Sequence, residues 1–166
     1  MSNFSSRKRL QQFGTCAVIV IRQAHWPTDE AAVRSIRHEV FVQEQGVPEA
    51  LEWDGLDPRC AHVLALGSDR TPVGTGRLLP EGKIGRLAVR KLWRGQGIGS
   101  ALLGALIQLG KAQGHPNLYL HAQLKARIFY ENHGFQSVRS SFIEAGIPHQ
   151  KMAYRLTAPS CRTRAL

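Results

Sequence analysis

Residues Gly85–Gln113, GRLAVRKLWRGQGIGSALLGALIQLGKAQ, decide the fold, because three local patterns meet in them. Ile84, Leu87 and Val89 are strand formers on a short run, and Arg94-Gly95-Gln96-Gly97-Ile98-Gly99 is a glycine loop. Ile98, Leu102, Ala105, Leu106 and Leu109 then recur at the spacing of one helix face. Glycines let the main chain approach a ligand without interference from a Cβ. The start of the helix points its unpaired N–H groups and the positive end of its dipole at the same place. The charges agree: no acid occupies the first helical turn, Arg90, Lys91 and Arg94 crowd its approach, and from Gly82 to Tyr130 there are eight Lys or Arg and no Asp or Glu. The expected ligand is a phosphate.

Two familiar phosphate loops are excluded. The Walker loop needs Gly-Lys followed by Ser or Thr, which this chain lacks, and the dinucleotide fingerprint needs a further glycine where Ser100 or Leu102 stands. What is present is Arg-x-x-Gly-x-Gly, followed by a strand from Leu118 to Ala122 and by Ala126-x-x-x-Tyr130-Glu131-x-x-Gly134-Phe135. On these residues the chain resembles the GCN5-related N-acetyltransferases (GNAT), over roughly Ile21 to Leu156. The stretch Arg37 to Asp57 and the run Gly146-Ile147-Pro148-His149 are similar to a bacterial, ElaA-like branch of that family.

The resemblance implies a mixed α/β fold, a twisted and mostly antiparallel sheet flanked by helices, and acetyl-CoA as co-substrate. It implies direct transfer of the acetyl group to an amine, with no covalent enzyme intermediate. The main chain of Gly95, Gln96, Gly97, Ile98, Gly99 and Ser100 would hold the pyrophosphate, with Arg94 heading the loop and Arg90 or Lys91 reaching toward it. Backbone groups of Leu87, Ala88 and Val89 would bind the pantetheine arm and the thioester oxygen, where the family's anchor strand splays from its neighbour. Tyr130 matches the tyrosine placed to protonate the leaving thiolate, and Gln123 stands where the family often has Asn. The anchor strand carries no Glu to act as base, so one common solution of the family is missing, and His149 is a candidate by its branch-specific position and near-neutral intrinsic pKa. Glu44, Glu52, Asp54 and Asp57 form an acidic pool for the acceptor, and His121, on a core strand, reads as a satisfied buried histidine.

At 166 residues the chain is large enough for one domain with its own core, expected at residues 15–156 between polar tails at 1–14 and 157–166. Cys16, Cys60 and Cys161 are odd in number and far apart, and there is no C-x-x-C and no His pair at ligand spacing, so no structural metal is expected. With no apolar run of membrane length and no signal-peptide core, a cytoplasmic protein is expected. The net charge of +10 raises the question of nucleic acid, but Arg7, Lys8, Arg9, Arg162 and Arg164 lie in the tails, leaving +5 for the domain. Asp29 to Asp69 carries nine acids and three bases, against eight bases in Gly82 to Tyr130. That polarity favours acyl-CoA and a cationic, amine-bearing acceptor over nucleic acid. The rival readings are a catalytically silent CoA-binding or nucleic-acid-binding regulator, and a transferase using another acyl-CoA or an O-acceptor. A homodimer is left open.

Along the chain, Thr15 to Arg22 reads as the first strand, and Thr28 or Asp29 can cap a helix to about Val40. Phe41 to Pro58, with its Gly and Pro, reads as loop or short helix. Ala61 to Leu66 and Val73 to Leu79 read as a hairpin, with Ile84 to Val89 the next antiparallel strand. Lys125 to His133 reads as a short helix, and Phe135 to Val138 and Lys151 to Leu156 as the last strands, separated by a loop containing Gly146 to His149.

Overall fold

A computed structural model describes residues 18–156. The expected tails, Cys16, Cys161 and the start of the expected first strand lie outside that range. The strands are β1 (Val20–Ala24), β2 (Ala61–Leu66), β3 (Pro72–Leu78), β4 (Lys83–Val89), β5 (Asn117–Gln123), β6 (Gln136–Ser137), β7 (Phe142–Glu144) and β8 (Ile147–Arg155). The α-helices are α1 (Glu30–Arg37), α2 (Glu49–Glu52), α3 (Ile98–Ala112) and α4 (Arg127–Glu131), and a π-helix, His38–Glu44, continues α1. The sheet runs β1-β2-β3-β4-β5-β8-β6, with β7 also on β8. Every pairing is antiparallel except β4 with β5. This is the expected mixed α/β fold with a mostly antiparallel sheet.

Two apolar layers hold it. On one face α3 lays Ile98, Leu102, Leu103, Leu106 and Ile107 against Val63, Val73, Leu78, Ile84, Leu118 and Leu120, all buried. Its approach is close: a Cβ at Gly76 would lie 2.8 Å from Leu106 Cδ1. On the other face α1 packs Val33 and Ile36 with Ala24, Leu64 and Ala88. Truncating a fully buried Leu such as Leu102 or Leu106 to Ala would cost about 2–5 kcal/mol.

The anchor strand β4 does not alternate regularly. Its register against β3 shifts between Thr75↔Ala88 and Arg77↔Gly85, so one residue of β3, Gly76, opposes two on β4, Arg86 and Leu87. Arg86 takes φ 52 there, the left-handed conformation of a β-bulge. The extra residue puts Ile84, Leu87 and Val89 on the α3 face, although Leu87 is an odd number of residues from Ile84. Ala88 faces α1.

Several local expectations change. Asp29 makes no side-chain cap on α1; its carboxylate takes Arg22 through bonds of 2.7 and 2.8 Å and the His25 N–H at 2.8 Å. The first helix leaves α geometry at Arg37 rather than reaching Val40. Gly146 to His149 is not a loop: Ala145 (φ 51) and Gly146 (φ 74) form a tight turn, and β8 begins at Ile147 and runs beside β5. The turn also creates β7, a three-residue strand too short to carry a periodicity.

Candidate active site

The glycine loop ends at Gly97, the N-cap of α3, with φ 78; Gly95 has φ 75. Both are left-handed positions that an L side chain occupies only with strain, and a Cβ at either would meet nothing within 4 Å among the described residues. From Gly95 to Ser100 no main-chain N–H is bonded among the described residues; the first that is, Ala101 N, donates to Gly97 O at 3.0 Å. Six consecutive donors at the positive end of a fifteen-residue helix with no acid in its first turn fit a pyrophosphate by charge and by hydrogen-bonding capacity. The expectation that Arg94 adds its charge there meets a competing contact. Its guanidinium is bound to Glu44 by two bonds of 2.7 Å, and its Nε–H donates to Val89 O at 2.8 Å. Arg94 thus ties the loop to the end of β4 and to the π-helix. Arg90 is likewise engaged, paired with Glu39 and donating to Ser35 Oγ at 2.8 Å.

Beside the loop the sheet opens. β4 and β5 pair only at Lys83↔Tyr119 and Ile84↔Leu120, after which both strands continue unpaired, to Val89 and Gln123. Arg90 N donates to Val73 O at 2.9 Å, so by alternation Ala88 faces β3 and the main-chain groups of Leu87 and Val89 face the opened edge. The bulge at Arg86 helps to turn the strand away.

A cavity of about 500 Å³ occupies the opening. It brings together Leu87, Ala88, Val89, Arg94, Gln123, Tyr130, His149, Glu44 and Glu52. The rest of the glycine loop, Asp54 and Asp57 are not in its lining. Tyr130, at the end of α4, packs edge-on to Phe129 with ring centres 5.0 Å apart, and its hydroxyl has no hydrogen-bond partner among the described residues. Burial pushes its phenol up to about 12, so it is protonated at neutral pH. Gln123 donates to Gln45 Oε1 at 2.8 Å across the cavity. His149 bonds through Nδ1 to Ile147 O at 2.8 Å; a carbonyl only accepts, so Nδ1 carries the proton and Nε2 of the neutral ring has the lone pair.

The acidic pool requires correction. Arg37, fully buried, binds Glu52 Oε1 at 2.5 Å and Asp57 Oδ1 at 2.6 Å. Arg77 binds Asp57 at 2.8 Å and also pairs with Asp54, while Arg86 Nε lies 2.8 Å from Glu52 Oε2. Glu52 and Asp57 are 2 % and 3 % exposed, so they are counter-ions inside the fold and not an open acidic face. The acidity of Asp29 to Asp69 therefore no longer argues for a cationic acceptor. Burial raises the Glu52 carboxyl despite Arg37 and Arg86.

Sequence reasoning missed two residues on the wall. His121 is part-exposed rather than buried, and its Nδ1 lies 2.8 Å from Glu144 Oε2; both line the cavity. The available signal was alternation: Leu118, Leu120 and Ala122 fill the α3 core, which turns Tyr119, His121 and Gln123 to the other face. Nothing in the sequence pointed to Glu144, which depends on the turn at Ala145 and Gly146.

Comparison with known proteins agrees with this geometry. The sequence pattern of the Acetyltransferase (GNAT) domain matches residues 23–156. The N-acetyltransferase YjcF of Bacillus subtilis, itself uncharacterized, is 36% identical over 121 residues, covering 70% of this chain and 86% of its own length. A solved acyl-CoA N-acyltransferase from Pseudomonas aeruginosa superposes with TM-score 0.71 at 30% identity, over 83% of this chain and 99% of its own. Escherichia coli ElaA superposes with TM-score 0.74 at 29% identity, over 82% and 99%.

Proposed function

The chain belongs to the GNAT family of acetyltransferases, and from that premise we propose that it transfers an acetyl group from acetyl-CoA directly to the nitrogen of an amine acceptor. The observation that carries this reading is the adjacency of six unbonded loop N–H groups to the opened edge of β4, with Tyr130 on the wall of the same cavity. The loop donors would hold the pyrophosphate. The exposed edge at Leu87 and Val89 would bind the pantetheine and polarise the thioester carbonyl, and Gln123 would flank the arm. Tyr130 would give its phenolic proton to the departing sulfur.

Acceptor amines are protonated near neutral pH and must lose that proton before attack, so a base is needed. The imidazoles on the cavity wall are the groups of suitable basicity, and His149 is the one expected from the sequence. Calorimetry should show acetyl-CoA binding to the wild type. A panel of amines, polyamines, aminoglycosides and peptides should contain acceptors that make thiol release depend on the amine. Binding of acetyl-CoA without such release would support a silent CoA-binding regulator instead.

A further inference from the structure

We propose that the base is His121, whose Nε2 takes the proton from the acceptor's ammonium while Glu144 holds the ring; this inference rests on the transferase reading above.

The place of His121 is set by the parting of the strands. The last parallel pair is Ile84↔Leu120, so His121 is the first residue of β5 beyond it. Gly85, next along β4, has no side chain to cover that point, and a Cβ there would meet nothing within 4 Å. The imidazole therefore stands at the apex of the opening, on the cavity wall that also carries Tyr130. Its orientation is set by two contacts: the Nδ1···Oε2 distance of 2.8 Å to Glu144, and the edge-on ring of Phe142, with centres 4.9 Å apart. An ionised carboxylate only accepts, so Nδ1 carries the hydrogen and Nε2 of the neutral ring is the free lone pair.

Competing groups are less suited. Of the acids on the wall, Glu44 is held by Arg94, and Glu52 by Arg37 and Arg86; among the described residues Glu144 pairs with an imidazole and no arginine. The Nδ1–H of His149 goes to a carbonyl, which offsets an imidazolium charge less than a carboxylate does. The charged and titratable groups around His121 are Glu144 on β7, Lys83 on β4, Lys151 and His149 on β8, and Tyr119 on its own strand. Burial, with Lys83 and Lys151, outweighs the pull of Glu144 and holds the ring below its ordinary value, so it is neutral and able to accept a proton near neutral pH.

The step balances without a further reactant. The ammonium proton passes to His121 Nε2, giving an imidazolium that faces Glu144. The freed nitrogen lone pair forms the C–N bond to the thioester carbonyl. The C–S bond breaks with its electron pair on sulfur, and the sulfur takes the Tyr130 proton. The acetylated nitrogen gives up its second proton to solvent, solvent returns one to Tyr130, and His121 releases its own, which leaves the neutral amide, the free thiol and one proton in solution.

Two measurements on the full chain test the assignment. In the first, imidazole nitrogens of ¹⁵N-histidine-labelled protein are observed by NMR, with His121→Asn identifying the signal. Near about pH 7.5 the ring should be neutral with its hydrogen on Nδ1. A charged ring, or hydrogen on Nε2, would overturn the proposal whatever the enzyme's activity.

In the second, thiol release from acetyl-CoA is followed with the best protonated amine of the panel and with hydroxylamine, whose nitrogen is already neutral. His121→Asn should lower kcat/KM for the protonated amine by about 10²-fold or more, and for hydroxylamine by much less. Glu144→Gln should move the rising limb of the pH profile to lower pH, since the imidazolium loses its counter-charge, and lower the plateau. An equal loss on both nucleophiles, or a limb lost in His149→Asn and kept in His121→Asn, would overturn the role of His121. A wild type that releases no thiol with any amine would overturn the transferase reading and the base with it, while the NMR arm would still report the ring's state.

Discussion

The chemistry at Tyr130 is separable from its packing. Tyr130→Phe keeps the ring against Phe129 and Phe135 and removes only the hydroxyl, which has no hydrogen-bond partner among the described residues. Stability should therefore change by less than the roughly 0.5–1.5 kcal/mol of a hydrogen bond, while kcat falls by about 10²–10⁴-fold if the phenol is the acid. Thermal melting and turnover at saturating acceptor measure the two; native turnover in the variant would make Tyr130 a packing residue. Because burial holds the phenol at about 12, Tyr130 should impose no falling limb on the kcat pH profile through the neutral range. Gly97 tests the anchor in the same way. With φ 78, Gly97→Val should cost about 1–3 kcal/mol in backbone strain and also place methyl groups over the loop donors. Calorimetry on the folded variant should show acetyl-CoA binding lost, and unchanged affinity would remove the pyrophosphate from this loop.

At the level of elements, the site is made by places where regular structure breaks, and this sets what the sequence could disclose. The helical period of α3 was legible because the helix follows it closely, and β2 and β5 were legible as apolar runs, although the alternation of β5 that turns His121 out of the core was not used. The β4 bulge was written as an irregularity: Ile84, Leu87 and Val89 do not alternate, and the extra residue falls at Arg86. The π-helix His38–Glu44 was not legible, since its wider turn arises from tertiary demands that place Glu39 and Glu44 against Arg90 and Arg94. Neither was the role of Glu144, because a three-residue strand has no pattern of its own. The Arg94 knot joins three of these elements through a planar fork. Arg94→Lys keeps the charge but cannot bond both Glu44 oxygens and Val89 O in that geometry. Calorimetry should show acetyl-CoA affinity weakened by about tenfold, near 1.4 kcal/mol, and unchanged affinity would make the knot irrelevant to the anchor.

On the scale of the whole molecule, the acidic and basic segments of the sequence fold against each other. Glu39, Glu44, Glu52, Asp54 and Asp57 meet Arg37, Arg77, Arg86, Arg90 and Arg94, most of them across more than thirty positions of chain or at full burial. Burial alone would raise Asp57, but Arg37 and Arg77 outweigh it and hold the carboxyl below the usual range; Arg77 does the same for Asp54. A depressed folded value means stability that is present above about pH 4 and is lost as pH falls through the lower folded values. Arg37→Met should cost up to about 3–5 kcal/mol at neutral pH, because among the described residues buried Glu52 keeps only Arg86 and buried Asp57 only Arg77, and part of that should return on mild acidification, opposite to the wild type. Denaturant unfolding at both pH values checks the sign. Acetyl transfer to nitrogen is tested by incubating the full chain with acetyl-CoA and the amine panel while measuring thiol release and the mass of each amine. The expected result is amine-dependent release matched by one acetyl group on the nitrogen of an acceptor. Bound acetyl-CoA with no amine-dependent release, or an acetyl group found on oxygen or on the protein itself, would contradict it.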